Sequence, residues 1–362
     1  MSDAPSAYPT DSAPPAAQAE VFVPCADLNE ALAFFVGELG FRIEVIFPAE
    51  APTTASLSGH GLRLRLGPGE GAAPSLRLPC AALPPEADRR RRGPGGVAVE
   101  WVLADPPVEI PPLEPAFLIN RPADGPPPGP GRAGMIYRDL IPGRLGGRYI
   151  ASLIAIPDGG LLSDWVHFHK IRFQMIFCRR GWVRVAYEDQ GEPIVMQAGD
   201  FVVQPPRIRH RVLEASVGLE VIEIGCPALH ETIADHVMTL PTGRTLPDRD
   251  YGGQSFIHHV AATTPWTAQG DSGFERQDTA MTAATRGLAD LRVLRPAGGR
   301  RLDIPAHNRE LLFGFVLAGG ATLDGPGRHA LASGDAFVIP PGQAFALEDC
   351  APDLALLEVR VG

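Results

Sequence analysis

Twelve residues near the middle of the chain return without a gap near its end, as G-D-F-V-V-Q-P-P-R-I-R-H at 199–210 and G-D-A-F-V-I-P-P-G-Q-A-F at 334–345. A glycine turn, a short apolar strand and a proline corner that recur in this order call for two similar halves. Around both copies lie short runs of apolar and β-branched residues separated by Gly and Pro turns, with almost no helical periodicity. That pattern belongs to a β-barrel or sandwich.

Upstream of the first copy the chain reads W-V-H-F-H-K-I-R-F-Q. His167 and His169 are two residues apart, and on a strand that spacing puts both imidazoles on one face, roughly 6.6 Å apart along the strand. Gln174 follows, Gly181 closes a turn, and His210 ends the first copy of the repeat. Taken singly, each histidine would read as a half-buried strand residue. Taken together, three imidazole nitrogens and one amide oxygen make a ligand set for one divalent ion, with Fe, Ni, Co, Mn and Zn all compatible. A neutral Gln174 leaves the ion's charge uncompensated, which favours an anionic substrate oxygen such as an enolate, catecholate or carboxylate.

These segments resemble the two cupin motifs, H-x-H-(x)3-4-E-(x)6-G and G-(x)5-P-x-G-x-x-H. His167, His169 and His210 fall on the motif histidines, Gln174 replaces the Glu, and Arg207 replaces the second motif's Gly. The resemblance implies a bicupin: a metal-binding β-barrel over 135–238, a connection over 239–287 and a degenerate second barrel over 288–362. Aligning Gly320 with Gly181 places Ala306, Asn308, Phe313 and Phe345 at the four ligand positions, with His307 one residue out of register. A one-residue slip turns a strand side chain to the wrong face, so the second barrel is expected to hold no metal. For the first barrel the resemblance implies an enzyme acting on a small oxygenated metabolite, foremost a dioxygenase. Bicupin isomerases, one of which also has a Gln among its ligands, and non-catalytic binding proteins are the alternatives. Strand parity assigns Trp165 and Cys178 to the pocket lining, Glu223 is the candidate acid/base, and Arg172 is a candidate partner for a substrate carboxylate. Residues 228–238 read as a helix carrying His230 and His236 on its surface. One of the adjacent pair His258 and His259 at most can face any site, and a structural role suits them better.

The N-terminal third is different in kind. Residues 1–18 are Ala, Pro, Ser and Asp without periodicity and are expected to be disordered. After the strand V-F-V-P-C, Asp27 is a good N-cap, Leu28, Ala31, Leu32 and Phe35 follow helical spacing, and Gly40 supplies the stop. Strands follow at 42–47 and 62–66. This β-α-β-β-β order, with the wording D-L-x-x-A-x-x-F-x-x-x-x-L-G-F, resembles a module of the glyoxalase/bleomycin-resistance, or vicinal oxygen chelate, superfamily. Glu20 falls where that family's first-strand ligand would be, but no partner carboxylate or histidine accompanies it, and His60 reads as a turn residue. Residues 75–119 read as a worn second module, so a domain over 19–120 with a structural or dimerising role is expected. Arg89 to Arg92 read as a solvated loop, and the Pro- and Gly-rich run 121–134 as a linker.

A formal charge of -10 argues against general affinity for nucleic acid. The five cysteines form no C-x-x-C pair, and no run of about 18 apolar residues occurs. A cytoplasmic protein with a small-molecule substrate, and with neither nucleic acid nor membrane as a partner, is the expectation; assembly as a homodimer is open.

Overall fold

Along the strand Phe173–Arg180, successive side chains enter two different interiors. Phe173, Met175 and Phe177 pack into a core that also takes Leu311, Phe313, Phe315 and Val359 from the C-terminal part of the chain, whereas Ile176 and Cys178 belong to a separate cluster with Val183, Val185, Met196 and Leu219. The period of two in a strand is the whole cause. One face joins two halves of the molecule, and the other lines the inside of one half.

The computed structural model describes residues 19–48, 50–124, 129–130 and 134–362. The tail 1–18 and much of the 121–134 stretch read as a linker lie outside the described residues. The chain divides into two compact units after Pro107. Within the second unit, strands Phe201–Val203, Phe173–Arg180, Leu219–Cys226, Ile150–Ile156 and Ile136–Asp139 are neighbours in a seven-stranded sheet. A second sheet runs Ile194–Gln197, Trp182–Tyr187, His210–Ala215, His167–His169, Thr232–Ala234. The C-terminal half repeats the plan with a seven-stranded sheet around Ala289–Pro296, Ala355–Val361 and Leu311–Ala318 and a four-stranded one around Phe345–Glu348 and Gly320–Gly325. The mainly β expectation and the two-half plan are what the sheets display. Among the described residues no helix is long and apolar enough to cross a membrane.

The backbone fixes the register between the halves and corrects the one read from sequence. Gly199 N donates to Cys178 O as Gly334 N does to Val316 O, each at 2.8 Å; Arg207 N donates to His169 O at 3.0 Å as Gly342 N does to His307 O at 2.7 Å. Gly319, at φ 68°, therefore matches Gly181, at φ 77°, in place of Gly320. A side chain at Gly181 would also strike Ser216, so the turn needs glycine twice over. His167, His169, Gln174 and His210 then correspond to Pro305, His307, Leu312 and Phe345. His307 is in register after all, and Phe313 matches Met175, with which it shares the joining core. The expected loss of the ligand set stands on different residues: one imidazole remains, and its Nε2 bonds Ile339 O at 3.1 Å. Phe337 closes the interior further, its ring lying where a Cβ on Gly314 would be.

Three other expectations change. Residues 228–238 contain no helix; Thr232–Ala234 is a strand paired with His167–His169, because the backbone there completes the sheet beside the histidines. The domain expected to run to 120 closes at Pro107. Leu118–Asn120 instead pairs with Ala336–Val338 as an edge strand of the C-terminal half. Arg90–Arg92 is a short edge strand on Ala98–Leu103, with Arg90 and Arg91 paired to Glu100, Glu38 and Asp88.

The first unit has the β-α-β-β-β order, with sheet order Val21–Pro24, Leu62–Gly67, Thr54–Gly59, Arg42–Phe47. Asp27 caps Leu28–Leu32 by accepting from Asn29 N at 2.8 Å and Glu30 N at 3.1 Å, and a π-helical turn over Ala33–Glu38 continues the helix. A smaller sheet of Ser75–Cys80, Ala98–Leu103 and Arg90–Arg92 follows. Glu20 is engaged by Arg63 at 2.8 Å, and exposed His60 bonds Leu39 O at 2.7 Å.

Arg172 does not face the interior of the first half. It joins Arg148 and Tyr149 on Glu310 of the C-terminal half, at 2.9, 2.8 and 2.7 Å. Its two nitrogens reach outward to this cross-half carboxylate, so the role of meeting a substrate carboxylate falls away. Arg148, Arg172 and the Tyr149 hydroxyl hold the Glu310 carboxyl down to about 2, with burial opposing them. The charged form is the bound one, so its stabilisation is complete above the unfolded carboxyl's range near 4.5 and is lost as pH falls toward about 2. A depression of this size corresponds to at most roughly 3 kcal/mol. Glu310→Gln is expected to lower the thermal midpoint at pH 7, with the gap from wild type shrinking as the pH is brought from 5 to 2.5. A gap that does not change over that range would remove the linkage.

Candidate metal centre

His167, His169 and His210 are 0%, 8% and 5% exposed, and their ligating nitrogens all lie within 4.8 Å of one another. The short strand His167–His169 presents both of its histidines to one side, and His210 stands directly opposite His167 in the antiparallel register. The rings are 4.2 to 5.4 Å apart between centroids. Three buried imidazoles so placed would be costly as an accidental cluster, and they converge as a metal triad does.

Each ring is fixed from behind. His167 Nδ1 donates to Trp165 O at 2.8 Å, His210 Nδ1 donates to Ile208 O at 3.1 Å, and His169 Nδ1 meets Thr232 Oγ1 at 3.3 Å. At His167 and His210 the partner is a carbonyl, so Nδ1 carries the proton and Nε2 the lone pair that would take an ion; a Thr232 hydroxyl that accepts from His169 sets the same tautomer there, as outer hydrogen bonds do in metal sites. Buried Asp164 lies 3.9 Å from His167 Nδ1 and accepts from Val212 N at 3.0 Å. The donor set and its supports fit a divalent ion.

Gln174 lines the same cavity, 3% exposed, and its Nε2 donates to Glu223 Oε1 at 2.6 Å. The carboxylate takes the amide's donor end, which leaves Oε1 as its ligand end. The charge reading from sequence needs revision here. The anion missing at 174 stands one residue layer back, at Glu223. A glutamate at 174 would set two carboxylates at hydrogen-bond distance, which cannot both ionise. The amide therefore transmits negative charge to the site without adding any.

The cavity holds about 270 Å³ and lies between the two sheets of the first half. Ser152, His169, Gln174, Gln204, His210, Glu223, His230 and Thr232, with the Tyr137 and Tyr187 hydroxyls, supply its polar part, and Ile, Val, Leu and Met side chains supply the rest. Trp165 is not in the lining. Its strand position lies just before the paired histidines, where the indole turns outward at 39% exposure with its ring 5.1 Å from that of His167. Cys178 does share the inward face but is packed at 0% exposure in the apolar cluster, outside the lining. Its Sγ points to Gly181 O at 3.5 Å, and burial pushes the thiol up to about 12, so it is inert.

Sequence reading missed four neighbours. His230, placed on a surface helix, has its ring 5.1 Å from that of His169 and its Nδ1 on Pro227 O at 3.0 Å. Thr232 belongs to a strand of three residues, too short to show a period. Tyr187 stacks on His210 at 5.8 Å, its hydroxyl made less acidic by full burial. Gln204 did leave a signal. It lies inside the repeat, where Ile339 replaces it, and its Nε2 stands 3.0 Å from His210 Nε2, on the lone pair that an ion would take from it. Among the described residues this is the one cluster of metal-ligating side chains.

No family model matches the sequence, and no curated protein matches it. Solved structures do. The protein YlbA from E. coli is 10% identical, with 72% of this chain and 95% of that one covered and a TM-score of 0.50. The oxalate decarboxylase of Bacillus subtilis, studied for its Mn(II) centres, is 12% identical over 70% of this chain and 78% of that one, with a TM-score of 0.51. The oxalate decarboxylase of Lactobacillus farciminis, solved as a formate complex, is 14% identical over 70% and 89%, with a TM-score of 0.50. At identities this low the structural likeness shows the fold alone, which is a cupin fold.

Titration with Co(II), followed by visible absorption, tests the centre. Wild type is expected to take up one equivalent and His167→Ala none. Thr232→Val, which loosens His169 while leaving every ligand in place, is expected to bind roughly ten- to a hundredfold more weakly. A Thr232→Val titration superimposable on wild type would strip the threonine of its orienting role.

Proposed function

We propose that this chain is a metal-dependent enzyme of the bicupin type, acting on a small metabolite that presents an anionic or enolisable oxygen to the ion, with dioxygenation as the leading reaction. The observation that carries this reading is the convergence of three buried imidazoles, two of which, His169 and His210, line the polar end of an apolar cavity with His167 directly behind them. A bound divalent ion supplies Lewis acidity there, with coordination positions for oxygen ligands.

The chain's own residues have separate tasks. Glu223 holds Gln174 in place and keeps one carboxylate beside the reacting region. The Ile and Val walls exclude water, which strengthens every electrostatic contact inside. His230 and Thr232 stand where the lining grades into half-buried and exposed residues, so they form the mouth. Mn(II) in one structural neighbour and formate in another are compatible with a centre that receives oxygen anions. Glu223 and His230 favour a second reading. Two proton-carrying groups at one cavity suit enolisation, so an isomerase or lyase is the alternative. We assign the N-terminal unit, with its glyoxalase-like order of elements, a structural or pairing role, since Glu20 is engaged by Arg63.

Elemental analysis of protein purified without an affinity tag opens the test, with about one equivalent of metal expected. The metal-loaded protein is then given a panel of enolisable ketones and catechols in D2O, with oxygen uptake and deuterium incorporation followed together. Oxygen uptake absent from His167→Ala supports dioxygenation. Deuterium exchange without oxygen uptake, lowered about a hundredfold or more in Glu223→Gln, selects the isomerase or lyase reading. Protein that neither carries nor accepts metal sinks both.

A further inference from the structure

Apart from the Tyr137 hydroxyl, which donates to Met135 Sδ at 3.5 Å, the polar groups of the cavity are gathered at one end. Read along three of its strands, a polar residue gives way to apolar ones at steps of two: Glu223 to Val221 and Leu219, Ser152 to Ile154 and Ile156, and Tyr187 to Val185 and Val183. Gln174 and His210 likewise give way to Ile176 and Val212. Each step of two residues is about 6.6 Å. The apolar chamber therefore extends for roughly one to two such steps beyond the histidines. Its far end is closed by Val183, Met196 and Leu219, at 4%, 1% and 1% exposure, whereas the other end opens past half-buried His230 and exposed Thr232. No lysine or arginine lines it.

We infer that the substrate is an amphiphile: one chelating oxygen head, carried on an apolar alkyl or aryl body of about ten carbons that enters first and fills the blind chamber. The inference rests on the metal-dependent reading above and names the substrate class for that site. A cavity on the order of 150 Å³ with apolar walls takes up benzene, so about 270 Å³, polar end included, accommodates head and body together at nearly twice that size. A dianion as small as oxalate would engage the polar end alone and leave the rest of the chamber unfilled. It would also find no cationic side chain for its second charge. The equivalent space in the C-terminal half is occupied by Leu312, Leu323, Phe337 and Phe345, so the chamber belongs to the histidine-bearing half alone.

Straight-chain hydroxamic acids from two to twelve carbons serve as probes, since the head group chelates a divalent ion whatever the tail. With Co(II)-loaded wild type, affinity is expected to rise about fourfold per methylene and to level off near ten carbons. Val185→Trp, which fills the chamber, should abolish that rise and spare acetohydroxamate. The wild-type series stands alone should this variant fail to fold. In a parallel arm, metal-free protein is titrated with butylbenzene, which has no chelating head. Acetohydroxamate binding with no gain on lengthening, and no butylbenzene binding, would overturn the amphiphile inference while leaving the metal centre intact. Butylbenzene binding in a protein that accepts neither metal nor hydroxamate would support the apolar body and overturn the metal-dependent reading.

Discussion

The alternation of a single strand is the constraint on which this molecule depends. On Phe173–Arg180 the odd-numbered residues bind the two halves together and the even-numbered ones equip the interior of the first half. Neither role can shift without the other. Sliding this strand by one residue would bury Gln174 in the joining core and turn Met175 into the cavity. The apolar core between the halves is therefore what keeps the amide at the metal centre.

The same alternation explains how one fold carries a site in one half and none in the other. Where the first half has Gln174, His210 and the small Val202, the second has Leu312, Phe345 and Phe337, and the space is filled. His307 is the remnant of the ligand set, and its ring is satisfied by a backbone carbonyl. An emptied site of this kind costs nothing in polar burial, because the buried polar atoms left with their partners or became carbon.

Much of the fold and of the centre was legible in the sequence for a physical reason. Strand parity and glycine turns are local, so His167, His169, Gln174 and His210 could be placed on one face before any tertiary information. Long-range pairing is not local. Nothing near Thr232 signals that it will lie against His169, and no composition rule tells that Arg172 turns to Glu310, more than a hundred residues away. The register error in the second half has the same origin: Gly319 and Gly320 are equal candidates on paper, and only the hydrogen bonds of Gly334 and Gly342 choose between them. Gln174 shows the limit most plainly. Its neutrality could be read, but the carboxylate behind it, on another strand, could not.

The edge strand Leu118–Asn120 has a consequence for how the molecule comes into being. It pairs with Ala336–Val338, across more than two hundred residues of chain. The histidines, Gln174, Glu223 and Thr232 all fall within one continuous stretch, so the ligand-bearing half has its parts together early in synthesis. Leu118–Asn120, although made before any of them, has no sheet to join until residues 336–338 have been made. The loop that this pairing closes is the longest in the unit and carries the largest entropic charge. The C-terminal half thus completes last, its edge closed by a segment made before the whole of the ligand-bearing half.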